Sequence, residues 1–165
     1  EQEQDKTIFV PPLSALRPLV DKISQRVLFR DLNIPTPNWI KLDSNEVGLD
    51  KLPAGWQFPL MAKAAKGGYD GKGTRCINNF SELKALLSSV DKSNWFLEKW
   101  VEYDSELAIV ASRDSQGNLR TFPLVETFQE NQVCNWVFAP SSYGQSVESL
   151  AQNIAYSLLN SLNYV

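Results

Sequence analysis

KAAKGGYDGKG, Lys63 to Gly73, is the stretch on which the reading of this chain turns. It places four glycines, two further lysines and one aspartate between an apolar run, FPLMAK at 58–63, and a shorter one, TRCIN at 74–78. Both flanks read as strands, so a hairpin with a long tip is expected. Glycine has no Cβ, so successive backbone N–H groups can turn toward one centre and approach an anion closely. A polyphosphate suits that chemistry. Lys63, at the end of the apolar run, reads two ways: a snorkelling surface lysine, or a cation aimed into a cleft where it pairs with phosphate oxygens. The loop is not a Walker A motif. GGYDGK has one residue too few between its glycines, Gly73 stands where Ser or Thr is needed, and a strand rather than a helix follows. GKGTRC lacks the third glycine of a dinucleotide fingerprint. On the glycines alone, a hairpin tip without a ligand is the competing reading.

Working outward, the polar opening is punctuated by Pro11 and Pro12. From Asp21, the spacing of Ile23, Val27 and Leu28 predicts a helix running to Leu32 before Pro35 and Pro37 stop it. WIKL at 39–42 reads as a strand, and residues 43–57 are polar with room for at most one brief helix. Downstream, Ser81 is the expected N-cap of a helix carrying Leu83, Leu86, Leu87 and Val90. Strands are expected at NWFLEKWV (94–101), ELAIVASR (106–113), LRTFPLVE (119–126) and QVCNWVF (132–138). A last amphipathic helix starts near Ser146 and carries Val147, Leu150, Ala151, Ile154, Leu158 and Leu162. The layout is α+β with a mostly antiparallel sheet, in two lobes divided near residues 99–104.

Composition removes several functional classes. The 165 residues are 43% hydrophobic, enough to bury a core. Sixteen Lys and Arg against nineteen Asp and Glu give a net charge of −3, which argues against nucleic acid as a partner. Trp39, Trp56, Trp95, Trp100 and Trp136 accordingly read as core or lobe-interface aromatics rather than a base-stacking platform. There is no histidine, so no Ser-His-Asp triad or imidazole zinc site can form within the chain. Cys76 and Cys134 are too few for a disulfide framework and are expected as reduced, packed thiols of a cytosolic protein. No apolar run approaches membrane-spanning length, and EQEQDKTIFVPP lacks the regions of a signal peptide, so a soluble chain with no membrane partner is expected. Glu at position 1, Met61 as the only methionine and an end at SLNYV point to a piece of a longer protein.

A second constellation is Glu98, Val101 and Glu106 in FLEKWVEYDSE. A strand leaving one lobe for the next exposes backbone groups that can read an adenine edge, while a later carboxylate can accept from both ribose hydroxyls. The competing reading is a set of solvated carboxylates flanking strands. PLMAKAAKGGYDGKG, FLEKWVEYDSE and TFPLVETFQENQVC, in that order and at these separations, resemble the N5-carboxyaminoimidazole ribonucleotide synthetases of the ATP-grasp family, over nearly the whole chain from FVPPLSALRPLVDK onward. GGYDGKG, with its Tyr-Asp pair, is specific to that branch.

The resemblance implies an ATP-grasp fold. Residues 1–20 would lead in, residues 21–100 would form the small ATP-binding lobe, and residues 101–165 would be the first, mostly antiparallel part of the large lobe. It implies that Lys22 and Lys63 contact ATP and that Gly67, Gly68, Tyr69, Asp70, Gly71, Lys72 and Gly73 close over its phosphates. It further implies that Glu98, Lys99, Trp100 and Val101 hold adenine and that Glu106 binds the ribose. VDKISQR matches a family segment with basic residues at Lys22 and Arg26. Some members carry Arg in place of Lys22, and the lysine keeps the charge but not the bidentate fork. Glu126 and Gln129 are substrate-side candidates. The bacterial version has a histidine at Gln129 and Asp-Gly at Asn131 and Gln132, whereas other members read V-E-T-x-Q followed by Cys, as Glu126, Thr127, Gln129 and Cys134 do here.

The implied reaction belongs to purine synthesis. ATP activates bicarbonate as carboxyphosphate, and the carboxyl group passes to the amine of aminoimidazole ribonucleotide. Mg²⁺ is implied as cofactor, with its acidic ligands expected beyond Val165 and none in this chain. A cytoplasmic homodimer is implied for the full protein, while these residues alone are expected to turn over ATP negligibly. Two other readings stay open: an ATP-grasp relative that binds nucleotide without this activity, and a non-enzymatic glycine-loop interaction module.

Overall fold

The computed structural model describes residues 9–68, 73–131 and 133–165. The chain divides into two compact units. The first comprises Asp21–Arg30 and Pro35–Tyr103; the second comprises Asp104–Val165, Asp31–Ile34 and the described residues up to Val20.

In the first unit, α2 (Lys22–Asp31) precedes β1 (Trp39–Lys41), β2 (Leu60–Ala64), β3 (Thr74–Ile77), α3 (Phe80–Ser89) and β4 (Trp95–Lys99). The strands form an antiparallel sheet of order β1-β4-β2-β3, with β4 between β1 and β2. Side chains alternate across the sheet, and the alternation separates two environments. Leu60, Ala62, Ala64, Trp95 and Leu97 join Leu42, Ile77, Leu83, Leu86 and Leu87 of α3 in one hydrophobic core. Met61, Lys63, Phe96 and Glu98 take the other face. There Trp39 meets Phe96 edge-on, with ring centroids 6.0 Å apart.

The start of α3 corrects the expected cap. Asn79, not Ser81, is the N-cap: its side-chain oxygen accepts the Glu82 N–H at 3.0 Å. Glu82 reaches back to the Asn78 N–H at 2.8 Å, so two free amides are satisfied together, in the manner of a capping box. The helix therefore includes Phe80, whose ring packs edge-on against Phe58 at 5.1 Å. Replacing Asn79 by Ala is expected to lower stability by about 1 kcal/mol. Asn79→Asp should lower it too, since the aspartate keeps the cap acceptor but loses the Nδ2 bond to Glu82 Oε1 at 3.1 Å and sets two carboxylates together. Urea unfolding of the two variants checks this.

The second unit begins with α1 (Leu13–Leu16) and a 3₁₀ turn at Arg17–Leu19, which the prolines had concealed. Pro12 sits at the cap of α1 and Pro18 in the first turn of the 3₁₀ segment, positions that lose no helical hydrogen bond. β5 (Glu106–Ala108), β8 (Val125–Glu130) and β9 (Val133–Phe138) form one antiparallel sheet, and β6 (Ala111–Arg113) pairs with β7 (Leu119–Thr121) in another. Two expected long strands, 106–113 and 119–126, are thus each divided between sheets. Pro123 has no N–H to give to a ladder, and β7 ends at Thr121 before it. The Asn131 turn between β8 and β9 uses φ of 51°, a conformation that asparagine tolerates. α4 (Gln145–Ser161) closes the unit.

Other expectations need correction. Cys76 lies on the edge strand β3 and Cys134 on β9, and both thiols are free and exposed rather than packed. Trp95 belongs to the core, whereas Trp100 and Trp136 are exposed. Among the described residues no helix is long and apolar enough to cross a membrane.

Candidate functional site

The first unit gathers its chemistry where β2 runs into the glycine loop. Gly73 closes the loop base by accepting the Ala64 N–H at 2.7 Å, and its φ of 92° lies in the left-handed region. A Cβ there would also stand 3.1 Å from Gly68 Cα and 3.2 Å from Ala64 Cβ, so the conformation favours glycine and any side chain would press on its neighbours. Tyr69, Asp70, Gly71 and Lys72 lie outside the described residues.

α2 is docked on the root of this loop. The Lys22 backbone N–H donates to Ala65 O at 2.9 Å, and Lys22 Nζ lies 3.4 Å from Ala64 O. Asp21 caps the helix by accepting the Ile23 and Ser24 N–H groups at 2.8 and 3.0 Å, while Lys66 Nζ approaches its other oxygen at 3.4 Å. Burial works against ionisation of Asp21, but the Ser24, Lys66 and Ile23 bonds outweigh it and hold the carboxyl below the usual aspartate range. The stabilisation this gives is present above the unfolded-state value and is lost as pH falls through the lower folded value. Carboxyl NMR titration should show Asp21 ionising below ordinary aspartates, and Lys66→Ala should move it upward.

Glu98 is the charged centre. Its side chain is 2% exposed, and its two oxygens are shared between Arg26 Nε on Oε1 and Lys63 Nζ at 2.6 Å from Oε2. The ladder explains the lysine contact. Lys63 lies opposite Phe96 and Glu98 opposite Met61, so the two are diagonal neighbours on one face, within reach of long side chains. The reading of Glu98 as a solvated flanking carboxylate is therefore overturned, and Lys63 is only a quarter exposed rather than snorkelling freely.

Beyond Glu98 the ladder ends. The Lys99 N–H still donates to Asn38 O at 2.9 Å, and Lys99 Nζ lies 5.8 Å from the centre of the Trp56 ring, away from Glu98. Among the described residues no hydrogen bond reaches the backbone of Trp100, Val101 or Glu102. Trp100 and Val101 are also nearly half exposed, so this segment has free backbone edges to offer a ligand. A cavity of about 450 Å³ opens beside it, lined in part by Gln57, Phe58, Lys99, Trp100 and Glu102.

In the second unit Glu106 opens β5 opposite Thr127, whose hydroxyl lies 3.4 Å from Glu106 O. Glu126 accepts the Ser142 N–H at 2.7 Å, which holds its carboxyl below the usual glutamate range. Gln129 is exposed, with Nε2 3.4 Å from Thr127 Oγ1. The Thr127 hydroxyl therefore links the main chain of Glu106 on β5 to the side chain of Gln129 on β8. Among the described residues no group of three or more His, Cys, Asp or Glu side chains is arranged as metal ligands.

The two residues that the motif reading did not connect are Arg26 and Glu98 as an ion pair. Period-two alternation within LMAKA sets Lys63 apart from Ala62 and Ala64, but only the register of β2 against β4 puts it on one face with Glu98.

Comparison with known proteins adds family evidence to this geometry. The ATP-grasp domain model matches residues 27–165. The N5-carboxyaminoimidazole ribonucleotide synthase of Synechocystis sp. is 39% identical over 162 residues, covering 98% of this chain and 40% of that protein. The crystal structure of the N5-carboxyaminoimidazole ribonucleotide synthetase from Thermus thermophilus superposes with a TM-score of 0.84 at 23% identity, covering 99% of this chain and 44% of that one. The carboxyaminoimidazole ribonucleotide synthase of Aspergillus clavatus, solved with ATP, gives a TM-score of 0.84 at 24% identity, covering 96% and 42%. The chain thus spans about two fifths of the length of the relatives it matches.

Proposed function

The chain belongs to the ATP-grasp family, and from that premise we propose that it is the ATP-binding part of a ligase that carboxylates 5-aminoimidazole ribonucleotide with bicarbonate. The observation that carries the reading is 39% identity to a synthase of that name over almost the whole chain. In this reading ATP phosphorylates bicarbonate to carboxyphosphate, and the carboxyl group passes to the exocyclic amine of the ribonucleotide, giving the N5-carboxy product of purine synthesis.

Phosphoryl transfer asks a protein for positioning and charge neutralisation more than for covalent help. Lys63 and Lys22 serve as phosphate cations, and the glycine loop offers backbone amides. The free edge of Trp100 and Val101 reads adenine, Lys99 contributing its backbone while its ammonium stays with Trp56. Glu106 accepts from the ribose hydroxyls. The Glu98 carboxylate is engaged with Arg26 and Lys63, so any part it takes in nucleotide binding runs through those cations. Glu126 and Gln129 remain substrate-side candidates. Mg²⁺, when bound to the nucleotide, neutralises phosphate charge; the described residues bring together no ligand set for it, and no residue here is assigned to it. We place the complete protein in the cytoplasm as a homodimer; two free, exposed thiols suit a reducing compartment.

ADP release by the complete protein, supplied with MgATP and bicarbonate, is expected to depend on added aminoimidazole ribonucleotide. ATP binding without that dependence would identify instead a nucleotide-binding relative, and would overturn the carboxylating assignment.

A further inference from the structure

Arg26 has no role in the scheme above, yet it bonds the buried carboxylate of the first unit. The two cations on Glu98 are not equivalent. Lys63 stands at the edge of the glycine loop with its side chain 25% exposed, whereas Arg26 projects from α2 and is 15% exposed. α2 is itself fixed to the loop root through Lys22 and Ala65. A guanidinium is charged at every working pH and offers several donors, so one bond to a carboxylate does not exhaust it.

An ammonium that neutralises a buried carboxylate cannot also serve a phosphate unless that carboxylate has another cation. Without one, turning Lys63 outward would leave Glu98 charged, buried and unpaired, and its charge would repel the arriving phosphates. Resting on the reading that this unit binds ATP, we propose that Arg26 is a positioning residue for the nucleotide: it keeps Glu98 neutralised, so that Lys63 can exchange Oε2 for a phosphate oxygen. Two cations on one carboxylate leave a net positive charge at the loop edge, the sign a polyphosphate needs.

The role predicts a rescue that a merely structural ion pair would not give. MgATP affinity of the complete protein is measured for wild type, Arg26→Gln, Arg26→Lys and the double variant Arg26→Gln/Glu98→Gln, with thermal midpoints alongside. Arg26→Gln should weaken binding about tenfold or more, because Glu98 then holds Lys63 alone. Arg26→Lys should keep most of the affinity. The double variant, with no carboxylate to neutralise, should return to within about threefold of wild type. Unchanged affinity in Arg26→Gln overturns the proposal, as does a double variant as weak as the single one, which would mean that Arg26 touches the nucleotide itself. Should Arg26→Gln not fold, the double variant decides: affinity near wild type supports the role, and loss of about tenfold or more overturns it. A wild-type protein that does not bind MgATP overturns the parent reading as well, an outcome distinct from the others.

Discussion

Replacing Glu98 by Ala is expected to lower folding stability by about 3 to 5 kcal/mol, the range for removing one partner from a buried ion pair. The carboxylate is 2% exposed and accepts from both Arg26 and Lys63. Its loss leaves two like charges on the same face of the sheet, both largely shielded from water. It also removes a side chain from β4, a strand with a neighbour on each side, where a void is hard to close. Glu98→Gln should cost less, since it keeps the volume and one acceptor oxygen. Urea unfolding with an unchanged m-value checks the effect. A loss below about 1 kcal/mol, the scale of an exposed pair, would mean that the triad is solvated and contributes little.

Lys63→Ala is expected to act on the other side of the ledger, with a larger effect on ligand than on fold. Glu98 keeps Arg26 when the lysine goes, so the carboxylate is not left bare. What is lost is a charge-assisted contact to phosphate, worth roughly 1.5 to 3 kcal/mol, or about a tenfold to hundredfold rise in the dissociation constant for MgATP. Competition against a fluorescent ATP analogue measures it. Glu98→Ala and Lys63→Ala should therefore separate, the first mainly in unfolding and the second mainly in binding. Equal unfolding losses with unchanged binding in Lys63→Ala would make the lysine a structural counter-ion only.

The parts of this protein that follow from local patterning could be read from the sequence. The apolar spacing in Ile23, Val27 and Leu28 gives α2, and that in Val147, Leu150, Ile154 and Leu158 gives α4. The loop flanks are strands, as the runs on either side of KAAKGGYDGKG imply. Where patterning competes with a specific interaction, the interaction prevails. Asn79 and Glu82 cap α3 reciprocally and place Ser81 inside the helix. Pro123 ends a ladder that its apolar neighbours would continue. Apolar residues at 106–113 say nothing about a change of sheet, because both halves are equally strand-like. For the site, the motif order supplied the family and the loop, while the Glu98 triad needed the register of β2 against β4. That register depends on pairings between residues 35 positions apart, beyond any local signal.

The most direct measurement is isothermal titration of the complete protein with MgATP, wild type beside Lys63→Ala and Glu106→Ala. Saturable binding of one nucleotide per chain, weakened about tenfold or more in each variant, is the predicted result. Wild-type protein that takes up no nucleotide, or affinity unchanged in both variants, would contradict it.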